Sequence, residues 1–74
     1  GLCDALDLAV LIEEEARDRY IELAEQMEVH HTPAAAGFFR FMADNEEKHR
    51  VALASRRAET FGSAPIRVER AMLF

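Results

Sequence analysis

Apolar positions recur along the first part of the chain with a helical period. Leu2, Leu6, Ala9, Glu13, Ala16, Tyr20, Leu23 and Met27 follow one another at alternating steps of 4 and 3 residues. A seam of this kind runs down one side of an amphipathic helix. Leu8, Val10, Leu11, Ile12 and Ile21 broaden it, most of all near the N-terminus. The seam has one acid, Glu13, in its middle. His30-His31-Thr32-Pro33 is the turn signal in this stretch, so the first helix is expected to end near Val29. Thr32 suits the N-cap of the next helix and Pro33 its first residue.

A second seam then begins. Ala35, Phe39, Met42, Glu46, His49, Leu53, Arg56 and Thr60 repeat the same steps, widened by Phe38 and Phe41. Two polar residues, Glu46 and His49, occupy adjacent turns of it. Gly62 is placed to end the helix. The short connection predicts an antiparallel helical hairpin over residues 1–62. The remaining stretch, 63–74, is expected to form a short C-terminal helix or docking tail. Ser63-Ala64-Pro65 resembles a second helix start, and Ile66, Val68, Ala71, Met72, Leu73 and Phe74 are too apolar for a free tail. The predicted class is all-α.

An antiparallel hairpin brings distant residues to one level. With the turn centred on residue 31, Glu13 lies 31 − 13 = 18 residues before it and His49 lies 49 − 31 = 18 after it, with Glu46 15 after it. At ~1.5 Å of rise per residue the three side chains reach the same height, and all belong to the seam side. Two carboxylates and an imidazole buried at one level without a counter-charge cost several kcal/mol per ion. No Lys or Arg occupies the neighbouring seam positions; Arg56 is two turns past His49. A bound cation resolves the cost. For any one of these residues alone the ordinary reading is a register-setting or hydrogen-bonded core group; the three together favour a metal.

Composition supports this. A chain of 74 residues makes one small domain, and such domains bury only about 60% of their unfolded surface, so they lean on a staple or a partner. Cys3 is the sole cysteine, which excludes an internal disulfide and any thiolate-built zinc or iron–sulfur site. Lys and Arg number 9 against 14 Asp and Glu, a net charge of −5. That balance argues against nucleic acid or an anionic membrane as partner and favours cations. No apolar run reaches the ~18 residues of a membrane span. Leu8–Ile12 is too short, and lacks a basic flank before it, for a signal peptide. A cytoplasmic location is therefore expected.

Glu-x-x-His on one helix plus a Glu from the facing helix is half of the ligand set of di-iron and di-manganese carboxylate bundles. A hairpin also leaves one apolar face uncovered. Two hairpins about a two-fold axis would supply four helices, four Glu and two His, and two divalent ions would balance four carboxylates. The same homodimer would cover the exposed seam. Carboxylate with imidazole suits Fe(II), Mn(II) or Zn(II). Ligands drawn from two chains would link metal binding to assembly.

The motifs themselves resemble a known family. Glu13-Glu14-Glu15-Ala16-Arg17-Asp18-Arg19-Tyr20 is similar to the Glu-x-x-Ala-Arg-x-x-Tyr motif of the first rubrerythrin helix. Ala43-Asp44-Asn45-Glu46-Glu47-Lys48-His49 is similar to the Ala-Asp-Asn-Glu-x-x-His motif of the second. The resemblance covers residues 5 to 60, the first half of a ferritin-like bundle. It implies that Glu13 and Glu46 are carboxylate ligands, with Glu46 bridging, that His49 is a terminal ligand, and that Tyr20 hydrogen-bonds near the site. It implies two iron ions per dimer and oxidation of Fe(II) by dioxygen or peroxide, a ferroxidase-type di-iron oxidoreductase. Departures bear on this. The four-Cys rubredoxin-like domain cannot be built from Cys3. In a symmetric dimer Ala16 stands where rubrerythrins carry an additional glutamate tied to peroxide chemistry, which moves weight from peroxidase to ferroxidase activity. Half-size ferritin-like proteins that dimerise, including those packed inside encapsulin shells, are the nearest model, although no shell-targeting tail is recognisable. The alternatives are a non-catalytic metal-binding or helical assembly module, or the N-terminal half of a longer rubrerythrin-like protein.

Other polar groups have ordinary readings. His30 and His31 read as exposed loop residues. Glu14 and Glu15 point away from the seam, and Glu22, Glu25, Glu28, Asp44 and Glu47 read as a solubilising surface. Cys3 reads as an idle thiol near a frayed end.

Overall fold

The computed structural model describes residues 1–73 as two long helices and a short tail. Helix α1 spans Leu2–Val29 and helix α2 spans Pro33–Phe61. Residues 2–32 contain neither Gly nor Pro, and Ala, Leu and Glu dominate, so nothing interrupts the first helix. Its end is set at His30 and His31. His31 adopts φ 57°, a left-handed conformation that stops helix propagation. The Thr32 hydroxyl donates back to the Met27 carbonyl at 3.1 Å, and the Thr32 amide donates to the same carbonyl at 2.8 Å. Pro33 opens α2, where its missing N–H costs nothing. Gly62 closes α2 with φ 58°, its amide bonded to the Ala58 carbonyl at 2.8 Å. A side chain there would be strained.

The helices pack side by side in a body 45 × 23 × 15 Å, the long axis being about that of one 28-residue helix. The residues sealed between them are Asp7, Ala24, Ala36, Ala43 and Arg57. Each stands one position after a seam residue: Leu6, Leu23, Ala35, Met42 and Arg56 respectively. The line of closest contact is thus rotated about 100° from the seam. Alanine fits there because the backbones approach closely. The bulky seam residues lie beside that line and stay half-buried; Leu6, Tyr20, Leu23, Met27, Phe39, Met42 and Leu53 share this state. Among the described residues no large side chain is fully buried. The hairpin therefore carries one broad apolar face that its own two helices do not close. Phe38, Phe41 and Ile12 extend it or border it at 56%, 60% and 48% exposure.

The line of contact and the tail carry polar cross-links. Arg57, buried, grips Asp7 through two hydrogen bonds of 2.7 and 3.2 Å. It also donates to the carbonyls of Gly62, Ala64 and Pro65, so one guanidinium joins the start of α1, the end of α2 and the tail. Arg40 joins α2 to Glu28 of α1 at 2.6 Å. Of the short helix or docking tail expected over 63–74, the described residues show a docked tail with a single 3-10 turn, Arg70–Met72. Arg70 docks it on α1 of its own chain, with Glu15 at 2.6 Å and Asp18 at 2.8 Å. At 100° per residue Glu15 and Asp18 lie about 200° and 140° round from Glu13, so the tail sits away from the seam. Phe74, expected to add to the tail's apolar set, lies outside the described residues. Among the described residues no helix is long and apolar enough to cross a membrane.

Candidate metal centre

Glu13 projects from the middle of α1, and Glu46 and His49 from successive turns of α2. The antiparallel register brings them together: one donor atom from each lies within 4.8 Å of the other two. His49 Nδ1 is 3.8 Å from Glu13 Oε2 and 3.8 Å from Glu46 Oε2. These separations are too long for hydrogen bonds. They are close to the ~3–4 Å that separates two donors each ~2.1 Å from a shared ion.

Burial within the trio is graded. The side chains of Glu46 and Glu13 are 17% and 23% exposed, and that of His49 is 61% exposed. Glu13 Oε2 is buried and has no hydrogen-bond partner. An acceptor atom taken from water and left unpaired is unfavourable, and a cation would satisfy it. The donor set of two carboxylates and an imidazole, converging on one orphaned oxygen, thus fits a divalent metal of the Fe, Mn or Zn type. Three donors from one hairpin leave the coordination of such an ion incomplete. The cluster opens onto the uncovered apolar face, where further donors can enter.

Tyr20 lies one heptad beyond Glu13 toward the turn. Its ring stacks on Phe39 with centroids 6.2 Å apart and planes inclined by 22°, and Phe38 meets Phe39 edge-on at 5.5 Å. Among the described residues the Tyr20 hydroxyl forms no hydrogen bond. His30 and His31 are exposed and stand apart from the trio.

Charge next to the site is arranged in a way the seam did not foretell. Glu47, adjacent to Glu46, accepts from Arg50 Nε and Nη2 at 2.6 and 2.9 Å and from Arg17 Nη1 at 2.9 Å. Arg50 first and Arg17 second hold its carboxyl well below the usual range, at about 2. Arg17 also reaches Asp18 at 3.0 Å. Arg70 and then Arg19 lower the Glu15 pKa, and Arg70 is the main cause of the lowered Asp18 value. Glu15 and Glu47 are therefore engaged in ion pairs across the fold, more than the plain solvated acids expected of them. The signal was present in the spacing. Arg17 and Glu47 are equidistant from residue 32, as are Asp7 and Arg57, which is the condition for meeting across the hairpin. Cys3 is half-buried in α1, its Sγ 3.9 Å from Asp7 Oδ2.

The rubrerythrin family model matches residues 4–71, nearly the whole chain and both motif-bearing helices. No curated protein and no solved structure matches the chain.

Proposed function

The chain belongs to the rubrerythrin family, and from that premise we propose that its hairpin is half of a di-iron carboxylate centre completed by a second copy. The centre would oxidise Fe(II) with dioxygen or peroxide. The observation that carries this reading is the buried, unpartnered Glu13 Oε2 facing Glu46 and His49. It sits on the one face of the hairpin that the chain leaves apolar and open.

Glu13 and Glu46 would supply carboxylates, and one His49 nitrogen would complete each copy's contribution. A two-fold pair gives four carboxylates and two imidazoles for two divalent ions, a site of balanced charge. Iron held there would supply one-electron redox chemistry toward the oxidant. The balance is simple: two Fe(II) give up one electron each, and hydrogen peroxide takes both with two protons to yield two waters. With dioxygen the same two electrons and two protons yield hydrogen peroxide. The anionic ligands favour the more highly charged ferric state. The half-buried walls of Ala9, Ala16, Leu53 and Met42, closed by their counterparts, would restrict water around the reacting ions. The Tyr20 ring, fixed against Phe39, lines the same face on the turn-ward side.

The test is metal content against molar mass after anaerobic Fe(II) loading, followed by oxygen and peroxide consumption. One iron per chain in a dimer is the expected result, with Glu46→Ala keeping the helices and losing Fe(II) oxidation by more than about a hundredfold. A metal-free monomer would overturn the shared centre. A variant that gains thermal stability and loses nothing would make Glu46 a register device.

A further inference from the structure

Each metal-facing glutamate has an arginine four residues after it: Arg17 follows Glu13 and Arg50 follows Glu46. That spacing, with the acid on the N-terminal side, is the one at which ion pairs form along a helix. Among the described residues neither pair forms. Arg50 gives its Nε and Nη2 hydrogens to Glu47 at 2.6 and 2.9 Å. Arg17 gives its Nη1 hydrogen to the same Glu47 at 2.9 Å and its Nε hydrogen to Asp18 at 3.0 Å. Glu13 Oε2, one turn from Arg17, stays buried and unpartnered. One carboxylate therefore occupies both of the cations best placed to neutralise the cluster.

We propose that Glu47 is a positioning residue that holds Arg17 and Arg50 away from the Glu13 and Glu46 carboxylates, keeping both free for a divalent cation. The inference rests on the metal-centre reading and adds a residue outside the ligand set. Its logic is competition. A guanidinium and a divalent ion seek the same carboxylate oxygens, and an arginine seated on them must be displaced before metal binds. Glu47 lies about 100° round the helix from Glu46, close enough to reach both arginines and turned too far to join the cluster. Asp18 gives Arg17 a second anchor. Among the described residues Arg50 hydrogen-bonds no carboxylate but Glu47, and Glu14 of α1 acts on it only through charge, so the loss of Glu47 leaves it free to swing onto Glu46. The structural alternative is that Glu47 only ties α1 to α2. In that case its loss would loosen the fold without redirecting the arginines.

Two measurements separate these. In Co(II) titrations followed by visible absorption, Glu47→Gln should bind about fivefold more weakly than wild type, the scale of two i,i+4 pairs competing with the ion. Glu47→Gln/Arg50→Met should return to within about twofold of wild type, although it restores no cross-link. A crystal structure of metal-free Glu47→Gln should place the Arg50 guanidinium within ~4 Å of Glu46. Unchanged Co(II) affinity in Glu47→Gln overturns the proposal, and so does a double variant as weak as the single one. Wild-type protein that binds no Co(II) would instead sink the metal-centre reading, while the position of Arg50 in the metal-free crystal would still decide what Glu47 does.

Discussion

The two sides of this hairpin solve the same problem in opposite ways. Along the line of contact and at the tail, arginines find acids within their own chain: Arg57 with Asp7, Arg17 with Glu47, Arg40 with Glu28, Arg70 with Glu15 and Asp18. On the seam side, bulky apolar residues stay half-buried and Glu13 keeps an oxygen without a partner. One side is closed by its own ion pairs; the other, on the proposed function, would be completed by a cation and a second copy. The difference explains how so thin a core can serve. A contact line of alanines brings the backbones close but buries little area, so polar cross-links set the register, and the register aligns Glu13 with Glu46 and His49. Stability and site are thereby carried by different faces.

The comparison breaks most severely at the buried ion pair. The side chains of Arg57 and Asp7 are 9% and 6% exposed. Asp7→Ala strands the guanidinium away from water, and losing one partner of a buried pair is far worse than losing both. In a chain this small the drop in Tm should exceed about 15 °C, read by circular dichroism. Asp7→Leu/Arg57→Met should recover part of that loss, held back by the three carbonyls that Arg57 also serves.

The next effect should be confined to assembly. Leu23 is a half-buried seam residue between Tyr20 and Met27. Leu23→Lys places a charge on the open face. Light scattering should fall from the mass of two chains to that of one, and Fe(II) oxidation should fall with it. Val51 is as exposed as many seam neighbours, at 48%, but it lies about 140° round from Glu46, off the seam side. Val51→Lys should leave the mass unchanged. If both variants, or neither, change the mass, the distinction between the faces is wrong.

Most of this arrangement was legible in the residues, though not evenly. Helix ends at Val29 and Phe61 follow from Pro33 and Gly62, because those residues act locally. The meeting of Glu13, Glu46 and His49 follows from register, which a short turn fixes. The line of closest contact was not legible from hydropathy. Asp7 and Arg57 read as polar, and alanine is neutral as a signal, so the strongest apolar seam marked the open face rather than the sealed one. How the tail docks was hidden for a related reason. Its apolar residues pointed to a short helix or a docking tail, but Arg70 and Arg57 hold it through ion pairs and carbonyls that a hydrophobic pattern cannot register. Ile66 and Met72 remain 69% and 67% exposed.

Acid offers the gentlest test of the contrast. The carboxyls of Glu47, Glu15 and Asp18 all titrate below their ordinary values because arginines stabilise the charged form. A carboxyl whose folded pKa is depressed contributes stability that is fully present above its unfolded value and lost as pH falls through the folded one. For Glu47 that window runs from 4.5 down to about 2. The groups are partly solvated, so each contributes modestly, and salt should mute them further. Thermal unfolding of the metal-free protein should therefore be flat from pH 7 to about pH 5, then decline steadily toward pH 2. The decline should be shallower in Glu47→Gln, which has already lost one of the three linkages. The arginine-paired carboxyls break their ion pairs with no metal present, whereas acid would act on a loaded protein through competition of protons with the metal. Metal should consequently raise Tm at pH 7 and lose that increment as acid protonates its ligands, so the loaded protein's curve should fall more steeply than the metal-free one. Parallel curves would mean that the seam-side carboxylates hold no ion and that both faces are stabilised by the same ordinary pairing.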